Sequence, residues 1–196
     1  MIKRYSFSGI VRLLISYIYT RTFYNKTRII RFPFDIRNKK HIDLGVGLTT
    51  GFSCRLEAYP QNNHFKYKMI FGENVELNDF VHIAAGERIE IGNNVLIASK
   101  VFISDINHGN YKGEFQDSPL TKPNDRKLST NPVKINDNVW IGEGVCIMPG
   151  VTIGIGSIIG ASSVVTKDIP DYSIAVGNPA KVVKIFNFEE NKWVTI

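Results

Sequence analysis

Four histidines, His41, His64, His82 and His108, are the side chains of this sequence best suited to exchanging a proton near neutral pH. His41 and His64 lie in polar, irregular stretches and read as structural. His82 closes a six-residue unit, where it could line a cleft. His108 stands apart because its setting, ISDINHG, is the place where a regular repeat stops and a long irregular segment begins. An imidazole at the mouth of such a segment can accept a proton from a hydroxyl whose oxygen is attacking an electrophile. Asp105, three residues earlier, is suited either to orient that ring or to close a turn. Cys146 has no histidine near it in sequence and occupies an ordinary repeat position, so it reads as structural rather than nucleophilic. No two histidines lie within fifteen residues of each other, unlike the closely spaced ligand pairs of zinc sites, and no metal is expected.

The elements that must hold these groups are written most clearly between Ile135 and Ile169. An aliphatic residue recurs at every sixth position: Ile135, Ile141, Ile147, Ile153, Ile159 and Val165. Four residues after the first five come Val139, Val145, Val151, Ser157 and Ser163. A helix repeats at 3.6 residues and a strand at 2, and only the strand period divides six, so the segment reads as short extended pieces joined by turns. Gly142, Gly150, Gly154, Gly156 and Gly160, with Asn136 and Asn138, are expected to supply positive φ at those turns. Stacked pieces of this kind bury one column of Ile and Val, the pattern of a parallel β-helix. The same hexads appear from Phe71 to His82 and, after a two-residue slip, from Ile91 to His108. Residues 107–132 carry no period and three prolines, and read as an excursion loop that leaves the coil and returns at Val133. Upstream, Phe7, Ile10, Val11, Leu14, Ile15 and Ile18 fall on one side of a helix, with Arg4 and Arg12 off that side. Such a helix can cap the open end of the coil, lie on an anionic leaflet, or do both with different faces.

The run from Ile141 to Ile169, with WIG at Trp140–Gly142 and VTKDIP at Val165–Pro170, resembles the hexapeptide-repeat acyltransferases, in particular the galactoside, maltose and nodulation O-acetyltransferase branch. In overall pattern and length the chain is most similar to the O-acetyltransferases of bacterial O-antigen and capsule polysaccharides. The resemblance implies an all-β, left-handed parallel β-helix over residues 41–186, preceded by a basic, helical arm (1–40) and followed by a tail (187–196). It also implies a homotrimer with active sites between subunits, a carbohydrate acceptor and acetyl-CoA as co-substrate. His108 matches the family's catalytic base and Asn78 its acceptor-binding asparagine, an amide able to donate and accept without titrating. Coenzyme A contacts carry over to Trp140, Glu143, Ala161, Thr166, Lys167, Lys181 and Lys184, the lysines meeting phosphates as point charges. One departure stands out: Ala84-Ala85-Gly86 replaces the stretch in which those relatives carry an acceptor-binding carboxylate.

Charge is distributed unevenly. Residues 1–40 hold ten Lys or Arg against the single acid Asp35, while the whole chain sums to +6. A basic arm on a near-neutral body points to an anionic membrane surface or another polyanion as neighbour, or to a merely solvated face; nucleic acid is not expected. Cys54 and Cys146 form no disulfide framework, which fits a reducing cytoplasm with peripheral contact at the inner membrane face. The most apolar window, Ile10–Tyr19, is too short to span a bilayer, no cleavage site follows it, and the mature chain is expected to begin at Met1. The expected activity is acetyl transfer to a sugar hydroxyl by direct attack. The same coil could instead acetylate the amino group of a nucleotide-linked sugar, or serve as a non-catalytic scaffold.

Overall fold

The computed structural model describes residues 6–59 and 65–196, and in it each hexad is a short strand followed by a turn. Three hexads complete one coil, so Cys146 pairs in parallel with Val164, eighteen residues on. The coils stack into three flat sheets. The first face contains the strands Phe34–Arg37, Cys54–Ala58, His82–Ala85, Phe102–Ser104, Cys146–Ile147 and Val164–Val165, in that spatial order. The second contains five strands from Ile42–Asp43 to Thr152–Ile153, and the third runs from Thr49–Thr50 through Trp140–Ile141 to the C-terminal strands.

Because successive strand residues point to opposite sides, each hexad opener faces inward and its neighbours face out. Ile83, Ile103, Ile141, Ile147, Ile153, Ile159 and Val165 are all fully buried. The two serines that interrupt the aliphatic pattern are buried as well. Ser157 donates to the Pro170 carbonyl at 2.7 Å and accepts from the Ser173 amide, and Ser163 bonds the Gly160 carbonyl and the Gly177 amide. They lie where regular hexads end, and their hydroxyls satisfy backbone groups that an aliphatic side chain would leave bare.

The turns correct one expectation. Asn138 does adopt a left-handed φ of 58°, as do Gly150 and Gly156, but Gly142, Gly154, Gly160 and Asn136 do not. Gly142 serves close approach instead: a Cβ there would lie 2.6 Å from the Ala161 amide nitrogen in the next coil. The excursion also has more order than an aperiodic stretch suggests, since Ile106–His108 and Leu128–Thr130 form an antiparallel hairpin at its base. At the C-terminus, Ala180–Asn187 is wholly extended and pairs with both Ser173–Gly177 and Lys192–Thr195, which seats Trp193 against Phe186.

At the other end lies helix α1 (Phe7–Phe23), N-capped by Ser6. No helix among the described residues is long and apolar enough to cross a membrane.

Candidate functional site: a cleft on the first face

On the outer surface of the first face, strand register sets two columns side by side. One reads Arg55, His82, Phe102, Cys146, and the other reads Arg37, Glu57, Ala84, Ser104. The hairpin of the excursion leans over these columns. Between hairpin and sheet is a cleft of about 400 Å³, lined by Arg55, Glu57, Tyr59, His82, Ser104 and His108 among others. A hollow of the same volume on the second face, lined by Arg88, Glu90 and Lys134, holds no histidine.

His108 is placed by its backbone. Its strand pairs with Leu128, and its carbonyl accepts from the Tyr111 hydroxyl, which in turn accepts from Arg126 Nη1 at 2.8 Å. Ser129 Oγ closes onto the Gly109 carbonyl at 2.6 Å. The ring itself makes no hydrogen bond among the described residues and is exposed at the cleft edge. Asp105 does not orient it. The Asp105 carboxylate is buried and accepts from the amides of Gly86, Glu87 and Arg88 at 2.6, 2.8 and 2.7 Å. Burial pushes this carboxyl up, against the pull of those three amides. Its work is to fasten the two-residue slip in the repeat to the root of the excursion.

The imidazole that does have a carboxylate partner is His82. Its Nε2 lies 3.2 Å from Glu57 Oε2, and its ring packs on Phe102 at 5.2 Å. Glu57 is only 2 % exposed yet charge-paired: Tyr59 Oη donates to Oε2 at 2.9 Å, while Arg55 Nη2 and Arg37 Nη1 lie 2.6 and 2.5 Å from Oε1 as ion pairs rather than well-aligned hydrogen bonds. Burial alone would raise its pKa, but the contacts with Arg55, Tyr59 and His82 outweigh that and hold the carboxyl below its ordinary range. An ionised carboxylate can only accept, so His82 donates to it through Nε2. Glu57 is also the direct neighbour of Ala84 in the ladder. A carboxylate therefore lies one strand away from Ala84-Ala85-Gly86, buried beneath the cleft.

The remaining sequence-selected residues lie outside the cleft. Asn78, Glu143 and Ala161 stack on the corner that joins the third face to the first, with Glu143 held by Lys100 at 3.0 Å. Thr166 and Lys167 are exposed on the opposite corner, beyond Val165. Trp140, half-exposed, faces outward on the third face between Leu96 and Ile158, and Lys181 and Lys184 lie on that face's edge hairpin. One chain thus brings His108, His82 and Glu57 together and leaves Asn78, Trp140 and the lysines outside their cleft. Cys146 faces out above Phe102 in the first-face column, while burial pushes the Cys54 thiol up to about 11, against the Asn78 carbonyl. His41 is structural, its Nδ1 3.0 Å from the Lys66 carbonyl; His64 falls outside the described residues. No group of three His, Cys, Asp or Glu able to hold a metal ion occurs among the described residues.

Comparison with known proteins gives this geometry a context. Residues 132–167 match the family model for bacterial transferase hexapeptide, six repeats. Over 192 residues, 97% of this chain and 95% of its relative, the sequence is 43% identical to an Escherichia coli K12 protein assigned to lipopolysaccharide biosynthesis as an O-acetyl transferase. It is 40% identical to the galactoside O-acetyltransferase of the same organism, over 79% of this chain and 72% of that one. Among solved structures it resembles a hexapeptide-repeat acetyltransferase of Vibrio cholerae complexed with acetyl coenzyme A, with TM-score 0.57, 25% identity and coverage of 74% and 70%. These likenesses also give the coil its hand, which is left.

Proposed function

The chain belongs to the hexapeptide-repeat acetyltransferases, and we propose that it moves the acetyl group of acetyl-CoA onto a hydroxyl of a bacterial surface polysaccharide or its precursor. The observation that carries this reading is the first-face cleft, where an exposed imidazole on a braced hairpin overhangs a largely apolar floor that carries the His82–Glu57 pair. His108 is the general base: its ring takes the proton of the acceptor hydroxyl as the oxygen attacks the thioester carbonyl. The carbon–sulfur bond breaks, coenzyme A leaves as the thiol on recovering that proton, and no acyl-enzyme forms. His82 Nδ1, with its tautomer fixed by Glu57, accepts a hydrogen bond from a second hydroxyl of the acceptor and so positions the first.

The donor fits the upper part of the same face. Exposed Ala161 and Thr166 sit at corners where backbone groups can meet the amides of a pantetheine arm, and Lys167, Lys181 and Lys184 are exposed cations for phosphates. The acetyl thioester supplies the electrophile. Since Asn78, Trp140 and the two C-terminal lysines lie outside the single-chain cleft, the reading includes a homotrimer whose active sites lie between copies. Peripheral contact of the basic arm with an anionic membrane belongs to it as well.

A panel of hydroxy and amino sugars, assayed with a thiol reagent for released coenzyme A, tests the reaction class. Release with hydroxy sugars alone is expected, and release confined to amino sugars overturns O-acetylation.

A further inference from the structure

Helix α1 is mounted inside out. Ser16 and Thr20, both 0 % exposed, face the coil, whereas Phe7 and Ile18 are 85 % and 64 % exposed. At 3.6 residues per turn, Gly9, Leu13, Ser16 and Thr20 make one stripe, and Phe7, Val11, Leu14 and Ile18 make the stripe opposite. The hydroxyls explain the inner stripe. The chain returns beneath the helix at residues 27–32, where Thr20 Oγ1 accepts from the Ile30 amide at 2.9 Å and Ser16 Oγ from the Phe32 amide at 3.2 Å. Small hydroxyl side chains let the helix lie close on that backbone and satisfy it. Nothing within the described chain covers the outer stripe, which is contiguous and apolar over about 16 Å of helix.

Charge identifies what covers it. Residues 1–34 contain seven Lys or Arg and no Asp or Glu. Arg12 and Arg21 on the helix, and Lys26 and Arg28 just after it, are all exposed. Packing identical copies of this stripe against one another would gather like charges, whereas anionic headgroups complement them. Deepening the membrane contact included in the reading above, we propose that α1 is an in-plane anchor whose outer stripe inserts into the headgroup–acyl boundary of an anionic bilayer. The helix leads through Pro33 into the strand Phe34–Arg37, and Arg37 reaches Glu57. The docked face and the cleft therefore share the N-terminal end of the coil, and the acceptor is met near a lipid surface.

The test is sedimentation of the full chain with vesicles of phosphatidylglycerol and phosphatidylethanolamine, or of phosphatidylcholine alone. Wild type is expected to partition onto the anionic vesicles, less so at high salt, and the Leu14→Ser/Ile18→Ser variant at least tenfold less strongly. The variant should keep its thermal midpoint and oligomeric mass, since both side chains are exposed. Absence of wild-type binding to anionic vesicles overturns the anchor, as does a change of oligomeric mass in the variant, which would assign the stripe to a second copy. Coenzyme A binding, followed by calorimetry without lipid, reports separately on the acetyl-transfer reading.

Discussion

The cleft holds two imidazoles with different support. His108 is positioned through its backbone and keeps a free ring, whereas His82 is positioned through its ring by Glu57. Truncating His82 to Ala should therefore raise the acceptor KM about fivefold, the loss of one hydrogen bond near 1 kcal/mol, with kcat much less affected. A kcat loss as large as that from losing His108 would make His82 the base instead. Glu57 ties this residue scale to stability. Its folded pKa is depressed, so its contribution is present above the unfolded value of about 4.3 and is lost as pH falls through the folded one. In acid titrations followed by circular dichroism, Glu57→Gln should be less stable than wild type at pH 7, with the gap narrowing below about pH 4. A gap independent of pH would mean that Glu57 acts through packing alone.

Among the elements, the coil and the hairpin differ in what holds them. Coil strands are fixed by inward aliphatics, and Ile141→Ala should cost about 2–5 kcal/mol in denaturant unfolding. The hairpin root is fixed by one buried carboxylate, and Asp105→Ala, leaving three amides unpaired, should cost about 3 kcal/mol. A change below 0.5 kcal/mol would contradict that bracing role. This contrast decides what could be read in advance. From Ile135 to Val165 the period of six gives strands, faces and core directly. It fails for Glu57, which is separated from its ladder partner Ala84 by 27 residues rather than 18, because the irregular stretch after Tyr59 intervenes. The pairing of Glu57 with His82, and with it half of the cleft floor, therefore has no signature in spacing. His108 was legible because it sits where the period stops. The seating of α1 was legible only as alternatives, since the sequence shows an apolar side without showing which way it faces.

At the scale of the molecule, the first face is a single track. The histidine cleft occupies its lower coils, and the exposed corners proposed above for the donor occupy its upper ones. Trp140 and the lysines of the C-terminal hairpin lie on another face, so the proposed site takes its remaining groups from a neighbouring copy. Analytical ultracentrifugation should give three times the mass of one chain, and a stable monomer with full activity would remove the need for shared sites. The most direct measurement is acetyl transfer by His108→Ala, assayed as coenzyme A released in the presence of an accepted hydroxy sugar. The predicted result is a loss of at least about 100-fold in kcat, with trimer and coenzyme A affinity unchanged. Transfer at the wild-type rate would contradict His108 as the base.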